Sequence, residues 1–417
     1  MKTKDTIITY REVSRIINNH ESATIGELQK SVVDPNESAR MLAGLGAALK
    51  RLEKEDKNPG VLISPDHKVA ALLQTFLAER ANEKGKFEEL PMGGKEAKFD
   101  SNDWLGWAGS FFSWWRKIQP HDWLAAAPIP EPIPNAMRVA MLGDWGTGLY
   151  GAPACSKSIE QDPKPYQLAV HLGDVYYSGN ENEVQERFID LWPKNNVITN
   201  RALNSNHEMY TGGHAYFNLT LKKFGQSASY FAFQNDHWVL VGLDSAYKDH
   251  DLTQDQVAWL RNIIQNAADR KIILMSHHQP ISRFDSQGPN LVEKLGEFLN
   301  AKRIFAWYWG HEHRCLFYDK HPAWDMYGRT VGHGGFPYFR DNLNGVPAEA
   351  GQPNWFRLGA SNMVPGGLVL DAPNKYIKHH EAEYGPNGYV SLEFDGAKLN
   401  EIVQEPDGTI IFDRQLI

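Results

Sequence analysis

Cysteine is scarce in this chain: Cys155 and Cys315 are the two in 417 residues. Their wide separation shows no metal-type spacing and supports no disulfide framework, so reduced, buried thiols are expected. Long apolar runs are missing as well. No stretch approaches the roughly 18 consecutive apolar residues of a membrane-spanning helix, so no membrane partner is expected. Nor is there an excess of basic residues. With 43 Lys and Arg against 51 Asp and Glu, the net charge of -8 argues against a broad nucleic-acid surface. A small anionic substrate stays compatible with that charge, because bound metal ions supply positive charge locally. The start, Met1-Lys2-Thr3-Lys4-Asp5, leads into Ile, Thr and charged residues with no apolar leader core, so a soluble, cytoplasmic protein is expected.

The hydrophobic fraction of 42% and charged fraction of 23% are those of a globular protein, and the length suits one large domain with an appendage, or two domains. Residues 1–85 carry apolar side chains at helical spacing (Val13, Ile16 and Ile17; Leu42, Leu45 and Leu49; Val69, Leu72, Leu73, Phe76 and Leu77), which predicts a helical module. Nothing in it has catalytic spacing, so a packing or oligomerisation role is expected. Residues 86–135 read as a linker followed by an aromatic segment, Trp104 to Trp123, expected to pack on the main domain because exposure would create an aggregation-prone patch. The prolines Pro128, Pro130, Pro132 and Pro134 mark an extended connector.

From about residue 136 to 417 the pattern changes to short apolar runs, each ending in a polar cluster. Val139–Leu142 leads to Gly143-Asp144-Trp145-Gly146, and Leu168–Leu172 to Gly173-Asp174-Val175-Tyr176-Tyr177. A weaker run to Leu203 precedes Asn204-Ser205-Asn206-His207-Glu208, and Trp238–Leu243 ends at Asp244. Lys271–Met275 ends in Ser276-His277-His278-Gln279-Pro280, and Arg303–Trp309 in Gly310-His311-Glu312-His313. Helical patterns lie between several runs. The clearest, Thr253 to Ala267, opens with a Thr-x-x-Gln capping box. Strands alternating with helices predict an α/β layered fold, β-sheets flanked by helices, with ligands gathered at the carboxyl ends of the strands. Past His333-Gly334-Gly335 the composition is loop-like to about residue 385. Asp395-Gly396 and Asp407-Gly408, set between apolar alternations, then predict closing β-hairpins.

The two imidazoles of the Gly-His-x-His turn, aimed from the rim of a strand, suit two metal ions rather than one. Glu312 between them should point away by strand alternation. Taken in order, Gly-Asp-x-Gly, Gly-Asp-x-x-Tyr, Asn-His-Glu, His-x-Pro and Gly-His-x-His resemble the calcineurin-like metallophosphoesterase superfamily, and within it the purple acid phosphatases, over about residues 137–340. The resemblance implies a first metal held by Asp144, Asp174, Tyr177 and His313, with Tyr177 replacing the histidine that many members carry where this chain has Gly146. It implies a second held by Asp174, Asn206, His278 and His311. The His-x-Pro spacing favours His278, with His277 as the alternative. Oxygen ligands with imidazoles suit Fe, Mn or Zn, and a phenolate favours Fe(III).

The implied activity is a dinuclear metal-dependent phosphohydrolase, cleaving a small phosphomonoester or phosphodiester through a hydroxide shared by the metals. Asp174 and His207 are the implied catalytic residues, His207 as general acid or electrostatic stabiliser. His214, Arg283 and His333 follow the motifs and are candidates for substrate phosphate. A further departure from the family pattern is Ser205, which stands where the family usually has Gly and bears on the loop backbone. The lone His171 is read as a core or surface residue and not as a ligand. The alternative is a non-catalytic binding or regulatory protein on a phosphoesterase scaffold, with the helical module and Trp-rich segment as its partner surface; the complete ligand set argues against it.

Overall fold

The structure is a computed structural model that describes residues 6–417 apart from 33, 56–60, 62–65, 85–86, 90–94, 98–102, 127–128, 196, 342 and 344–353. The first five residues and Pro128, read above as sequence signals, lie outside the described residues. Helices α1 (Tyr10–Asn18), α2 (Glu21–Ser31), α3 (Pro35–Glu55) and α4 (Lys68–Lys84) follow the apolar spacing, with Val13, Ile17, Leu45, Leu73 and Leu77 buried in one cluster. Thr9 opens α1 by accepting the Glu12 N–H at 3.3 Å.

The aromatic segment forms α5 (Asp103–Lys117). Trp104, Phe111 and Phe112 are buried in a cluster that joins the N-terminal helices to Tyr176, Tyr177 and Phe336 of the main domain. Trp104 Nε1 donates to Thr24 Oγ1 at 2.7 Å, and Phe111 meets Phe76 edge-on at 5.4 Å. The reason is geometric: a helix with apolar side chains at this spacing has a stripe that fits α2 and α4. Trp123, beyond the helix, stacks at 5.2 Å on Tyr230 of the main domain. Part of the expected linker is ordered as strands β2 (Phe87–Glu89) and β3 (Lys95–Ala97), which form a small sheet with β1 (Thr6–Ile7).

The main domain begins at β4 (Glu131–Pro132), β5 (Ala136–Leu142), β6 (Leu168–His171) and β7 (Thr199–Ala202). It continues through β8 (Phe231–Gln234), β9 (Trp238–Leu243), β10 (Lys271–Ser276), β11 (Ile304–Trp309), β12 (Cys315–Tyr318) and β13 (Tyr327–Val331). Then come β14 (Trp355–Leu358), β15 (Gly367–Leu370), β16 (Tyr389–Asp395), β17 (Lys398–Gln404) and β18 (Ile410–Gln415). They build a nine-stranded sheet of order β14-β15-β12-β13-β11-β10-β9-β8-β4 and a six-stranded sheet of order β18-β17-β16-β5-β6-β7. The closing hairpins are antiparallel, as expected, and β16 joins β5. β14 and β15 correct the loop reading after residue 335, since four-residue buried strands carry too little alternation to be seen.

Period-two alternation explains the layering. In β5, Met137, Val139 and Met141 face the core between the sheets, while Ala140 and Leu142 face the outer layer with Ile159 and Phe188. In β10, Ile273 and Met275 face inward and Ile272 and Leu274 pack outward with Leu260 and Leu295. The helix Gln254–Asn266 starts at Thr253, whose hydroxyl accepts the Gln256 N–H at 3.3 Å. The Gln256 side chain does not close a capping box. It brackets the end of β9, accepting the Asp244 N–H at 2.8 Å and donating to the Asp244 carbonyl at 2.9 Å.

A buried ion pair joins the sheets. Arg329 of β13 donates from Nε and Nη2 to Glu401 of β17 at 2.8 and 3.0 Å, and Tyr308 of β11 donates to the same carboxylate. Both charged side chains are buried. Glu401→Ala would strand the guanidinium in an apolar interior, and is expected to destabilise the protein by about 3–5 kcal/mol, read as a lower urea midpoint in equilibrium unfolding.

Candidate metal centre

The parallel strands β5, β6 and β7 of one sheet, and β9, β10, β11 and β13 of the other, bring their carboxyl-terminal loops to a common edge. Asp144 and Asp174 leave their strands with φ of +57° and +77°, and His311 and His313 have φ of +68° and +56°. Left-handed backbone at four non-glycine positions is uncommon and gathers at functional sites. Close approach explains the neighbouring glycines. A Cβ on Gly332 would fall 2.1 Å from Asp144 Oδ2, and Gly173, at φ +105°, would place one 2.6 Å from His277 Nδ1.

His277 sets the first half of the centre. Its Nδ1 lies 2.8 Å from the Leu172 carbonyl, so Nδ1 carries the proton and Nε2 presents a lone pair. That Nε2 is 2.9 Å from Asn206 Oδ1, 3.3 Å from Asp174 Oδ1 and 3.3 Å from His311 Nδ1. Burial pushes the His277 imidazole down to about 3, so it is neutral at ordinary pH. Asp174 Oδ1 is buried without a hydrogen-bond donor. His277 Nε2, Asn206 Oδ1 and Asp174 Oδ1 thus face one another as electron-rich atoms, which costs free energy unless a cation joins them.

The second half lies on the other Asp174 oxygen. Asp174 Oδ2 accepts from the Tyr176 hydroxyl at 2.7 Å and stands 3.6 Å from His313 Nε2, and Tyr176 Oη is 2.7 Å from that same nitrogen. Asp144 Oδ1 accepts the His311 N–H at 2.8 Å and its Oδ2 the His313 N–H at 3.1 Å. Burial and then the charge of Asp174 raise the Asp144 carboxyl well above its usual range. Asp174 goes the other way: burial alone would raise it, but interaction with the His277, His207 and His313 imidazoles holds it well below. Single ligand atoms of Asp144, Asp174 and His313 lie within 4.8 Å of one another, as do those of Asp174, His277 and His311. This donor set of carboxylates, an amide oxygen and imidazoles fits two divalent or trivalent ions sharing Asp174.

Three sequence expectations change. Tyr177 turns away from the cluster: its hydroxyl accepts the Ile8 N–H at 3.1 Å, and Arg187 stacks on its ring at 4.9 Å. Its neighbour Tyr176 faces Asp174 instead. His277, the alternative, is the one that reaches Asp174; His278 Nδ1 is tied to the Ser245 carbonyl at 2.9 Å, its ring is tilted 3.8 Å from that of His250, and its buried Nε2 belongs to a separate close group with His250 and His311. Among the adjacent pairs Tyr176-Tyr177 and His277-His278, sequence spacing could not tell which side chain faces inward. Glu312 does point away, to Trp309 Nε1 at 2.7 Å and Ser282 at 2.5 Å, but through left-handed histidines on either side and not through strand alternation.

Ser205 is accommodated simply. Its φ of -133° and ψ of 170° are extended, and its hydroxyl accepts the His207 N–H at 3.2 Å to cap the helix Asn206–Met209. It also bonds the Glu208 carboxyl, which burial and Asp174 push up to about 8. His207 lies against Tyr176 at 3.9 Å, with Nδ1 2.6 Å from the Tyr177 carbonyl. The substrate candidates do not gather here. His214 is exposed and bonds the Gln119 carbonyl at 2.9 Å, and His333 is a fully buried neutral imidazole pushed down to about 3 by burial. Arg283 is exposed, its backbone N–H tied to Tyr318 Oη at 2.8 Å. His171 sits among Trp145, Phe188 and Trp192.

Two participants had no sequence signal. Asp66, just ahead of α4, accepts from Asn206 Nδ2 at 2.7 Å and from the Tyr210 hydroxyl at 2.6 Å, and its Oδ2 is 3.8 Å from His311 Nε2. His250 completes a third close group with His278 and His311. A lone Asp in a helical module and a lone His in a loop have no spacing that marks them.

Residues 137–315 match the family model described as calcineurin-like phosphoesterase. No curated protein matches the chain. Among solved structures, the purple acid phosphatase PPD1 from yellow lupin (Lupinus luteus) seeds is similar at 14% identity and a TM-score of 0.48, covering 68% of this chain and 55% of that one. GAP50, the anchor in the inner membrane complex of Plasmodium, is similar at 14% identity and a TM-score of 0.45, over 67% of this chain and 88% of that one. PhoD is similar at 11% identity and a TM-score of 0.40, over 70% and 73%. The chain thus spans about half the length of the lupin protein. Asp144, Asp174, Asn206, His277, His311 and His313 gather at one strand edge inside the segment 137–315, which is similar to the calcineurin-like phosphoesterase family.

Proposed function

We propose that this protein is a phosphohydrolase that uses two metal ions to cleave a phosphomonoester or phosphodiester. The observation that carries the reading is the Asp174 carboxylate, buried between two imidazole groups with Oδ1 left without a donor. In this reading Asp144, Asp174, Tyr176 and His313 hold the first ion, and Asp174, Asn206, His277 and His311 the second. Such a pair, when bound, neutralises phosphate oxygens and lowers the pKa of a water for in-line attack.

The chain's own groups do the positioning. The Leu172 carbonyl fixes the His277 tautomer, and the Asp66 carboxylate holds the Asn206 amide with its oxygen turned to the cluster. The His311 and His313 N–H groups orient both oxygens of Asp144. His207, with Nδ1 on the Tyr177 carbonyl, keeps Nε2 for the leaving oxygen or the developing charge on phosphate. Burial lowers its pKa, although the charges of Asp174 and Asp66 act in the opposite sense, so protonation for a general-acid role would draw on those two carboxylates.

Asp174→Ala is expected to cut turnover of p-nitrophenyl phosphate and bis-(p-nitrophenyl) phosphate in Mn(II) by more than about 100-fold, beyond the range of outer-shell losses, and to lower the metal content of the purified protein. Unchanged turnover with unchanged metal content would sink the reading. The two tyrosines separate cleanly. Tyr176→Phe is expected to lower turnover by more than about 10-fold and to remove any visible charge-transfer band of an Fe(III)-loaded sample. Tyr177→Phe should keep both and lose about 1 kcal/mol of stability with the Ile8 hydrogen bond, measured by urea unfolding.

A further inference from the structure

The metal centre opens on a cavity of about 560 Å³, walled on one side by the start of α4 and on the other by the phosphoesterase domain. Two larger hollows, of about 660 and 990 Å³, are lined by no residue of the centre. Two residues place the smaller one at the chemistry. Asn206 lines it and also presents Oδ1 to His277 at 2.9 Å. His250 lines it with its ring 3.8 Å from that of His278 and 5.3 Å from that of His311. A group bound there would lie beside a phosphate held at the metals. The volume is that of a small-molecule site, for which about 300–1,000 Å³ is usual.

The walls define what fits. Ile118, Pro120 and Met209 are apolar, and Tyr210 adds a ring whose hydroxyl is already committed to Asp66. The charged groups are unequal. The cation of Lys68 lies within the field of Asp249, and Asp249 also has a partner in His250 Nδ1 at 2.8 Å. Asp66 accepts two hydrogen bonds on Oδ1, while its Oδ2 comes no nearer to His311 Nε2 than 3.8 Å and remains an acceptor at the junction of cavity and metal centre. An anionic group would be repelled there, whereas a neutral flat group with a donor would be held.

We propose that this cavity binds the organic group of the phosphate ester, and that the N-terminal module, through Asp66, Ile118 and Pro120, selects a neutral, aromatic-faced alcohol of up to nucleoside size over an anionic one. The proposal rests on the phosphohydrolase reading for the identity of the ester, while binding of the alcohol itself requires no turnover. One wall of the site lies outside the segment 137–315 that matches the family, since Asp66, Ile118 and Pro120 all precede it, while Asn206, Met209, Tyr210 and His250 of the opposite wall lie within it. Selectivity is therefore a property of this chain's added helices and connector.

The test uses the full chain in Mn(II) and two probes, 1-naphthol and 1-naphthalenesulfonate, followed by naphthalene fluorescence. The wild type should bind the neutral probe at least about 10-fold more tightly than the anionic one, a preference that Asp66→Asn should reduce about 5-fold. Ile118→Trp and, at the exposed rim, Pro120→Trp fill the cavity from outside the catalytic domain. Each should weaken 1-naphthol binding about 10-fold and raise KM for 1-naphthyl phosphate by a similar factor, with KM for acetyl phosphate changed less than about 2-fold. Circular dichroism of both variants, matching the wild type, would show that the fold is kept. Unchanged naphthol binding in both filled variants, or equal binding of the two probes by the wild type, would overturn the proposal. Naphthol binding as expected with no turnover of either ester would instead overturn the phosphohydrolase reading and leave the pocket standing.

Discussion

The Asp144 carboxylate is the joint on which the rest of the centre depends. It stands at the end of β5 in the six-stranded sheet, and both of its oxygens are occupied by N–H groups of the turn that follows β11 in the nine-stranded sheet. One side chain therefore fixes the relative position of two loops 167 residues apart in sequence. The turn adopts left-handed backbone at His311 and His313 so that both N–H groups reach the same carboxylate; the His313 imidazole is then carried to Asp174 Oδ2, and that of His311 to His277, whose Nε2 faces Asp174 Oδ1. Gly332 and Gly310 lie against Asp144 because any side chain there would enter its space.

This arrangement concentrates unfavourable electrostatics. Two carboxylates share one buried pocket, their response is a raised Asp144 and a lowered Asp174, and burial lowers the His277 and His313 imidazoles beside them. A fold selected for stability alone would have little use for such a cluster, whereas cations placed between these groups turn each unfavourable contact into an attraction. The buried Arg329–Glu401 pair shows the contrast, since there opposite charges meet within the protein itself.

The loop after Asp174 couples the centre to the helical module. Tyr176 faces Asp174, and the next residue, Tyr177, faces the other way to receive the Ile8 N–H. Ser178 and Glu183 of the same loop bond Thr75 of α4 at 2.7 and 2.8 Å. From the opposite side Asp66 returns to Asn206. The module thus grips the centre at two points, one before and one along the same helix, and its packing is inseparable from the orientation of the Asn206 amide and the Tyr176 phenol.

Much of this was legible in the chain itself. Apolar runs of period two and 3.6 specified the layers, and polar clusters at strand ends specified where ligands converge, because hydrophobic burial acts on local pattern and leaves polar groups only the strand termini. Asp144, Asp174, Asn206, His311 and His313 stood in those clusters, and the resemblance of the ordered motifs to the calcineurin-like phosphoesterases singled them out. The choice between Tyr176 and Tyr177, and between His277 and His278, could not, since neighbours one residue apart differ only in the dihedral angles that the surrounding carbonyls and carboxylates impose. Asp66, His250 and the placement of α5 were decided by packing between segments far apart in sequence, where no local spacing records the contact. The order of ligands along the chain was thus a property of sequence, while the facing of each side chain, and the contribution of the helical module to the centre, belonged to the tertiary structure that brings Asp144 against the turn at His311.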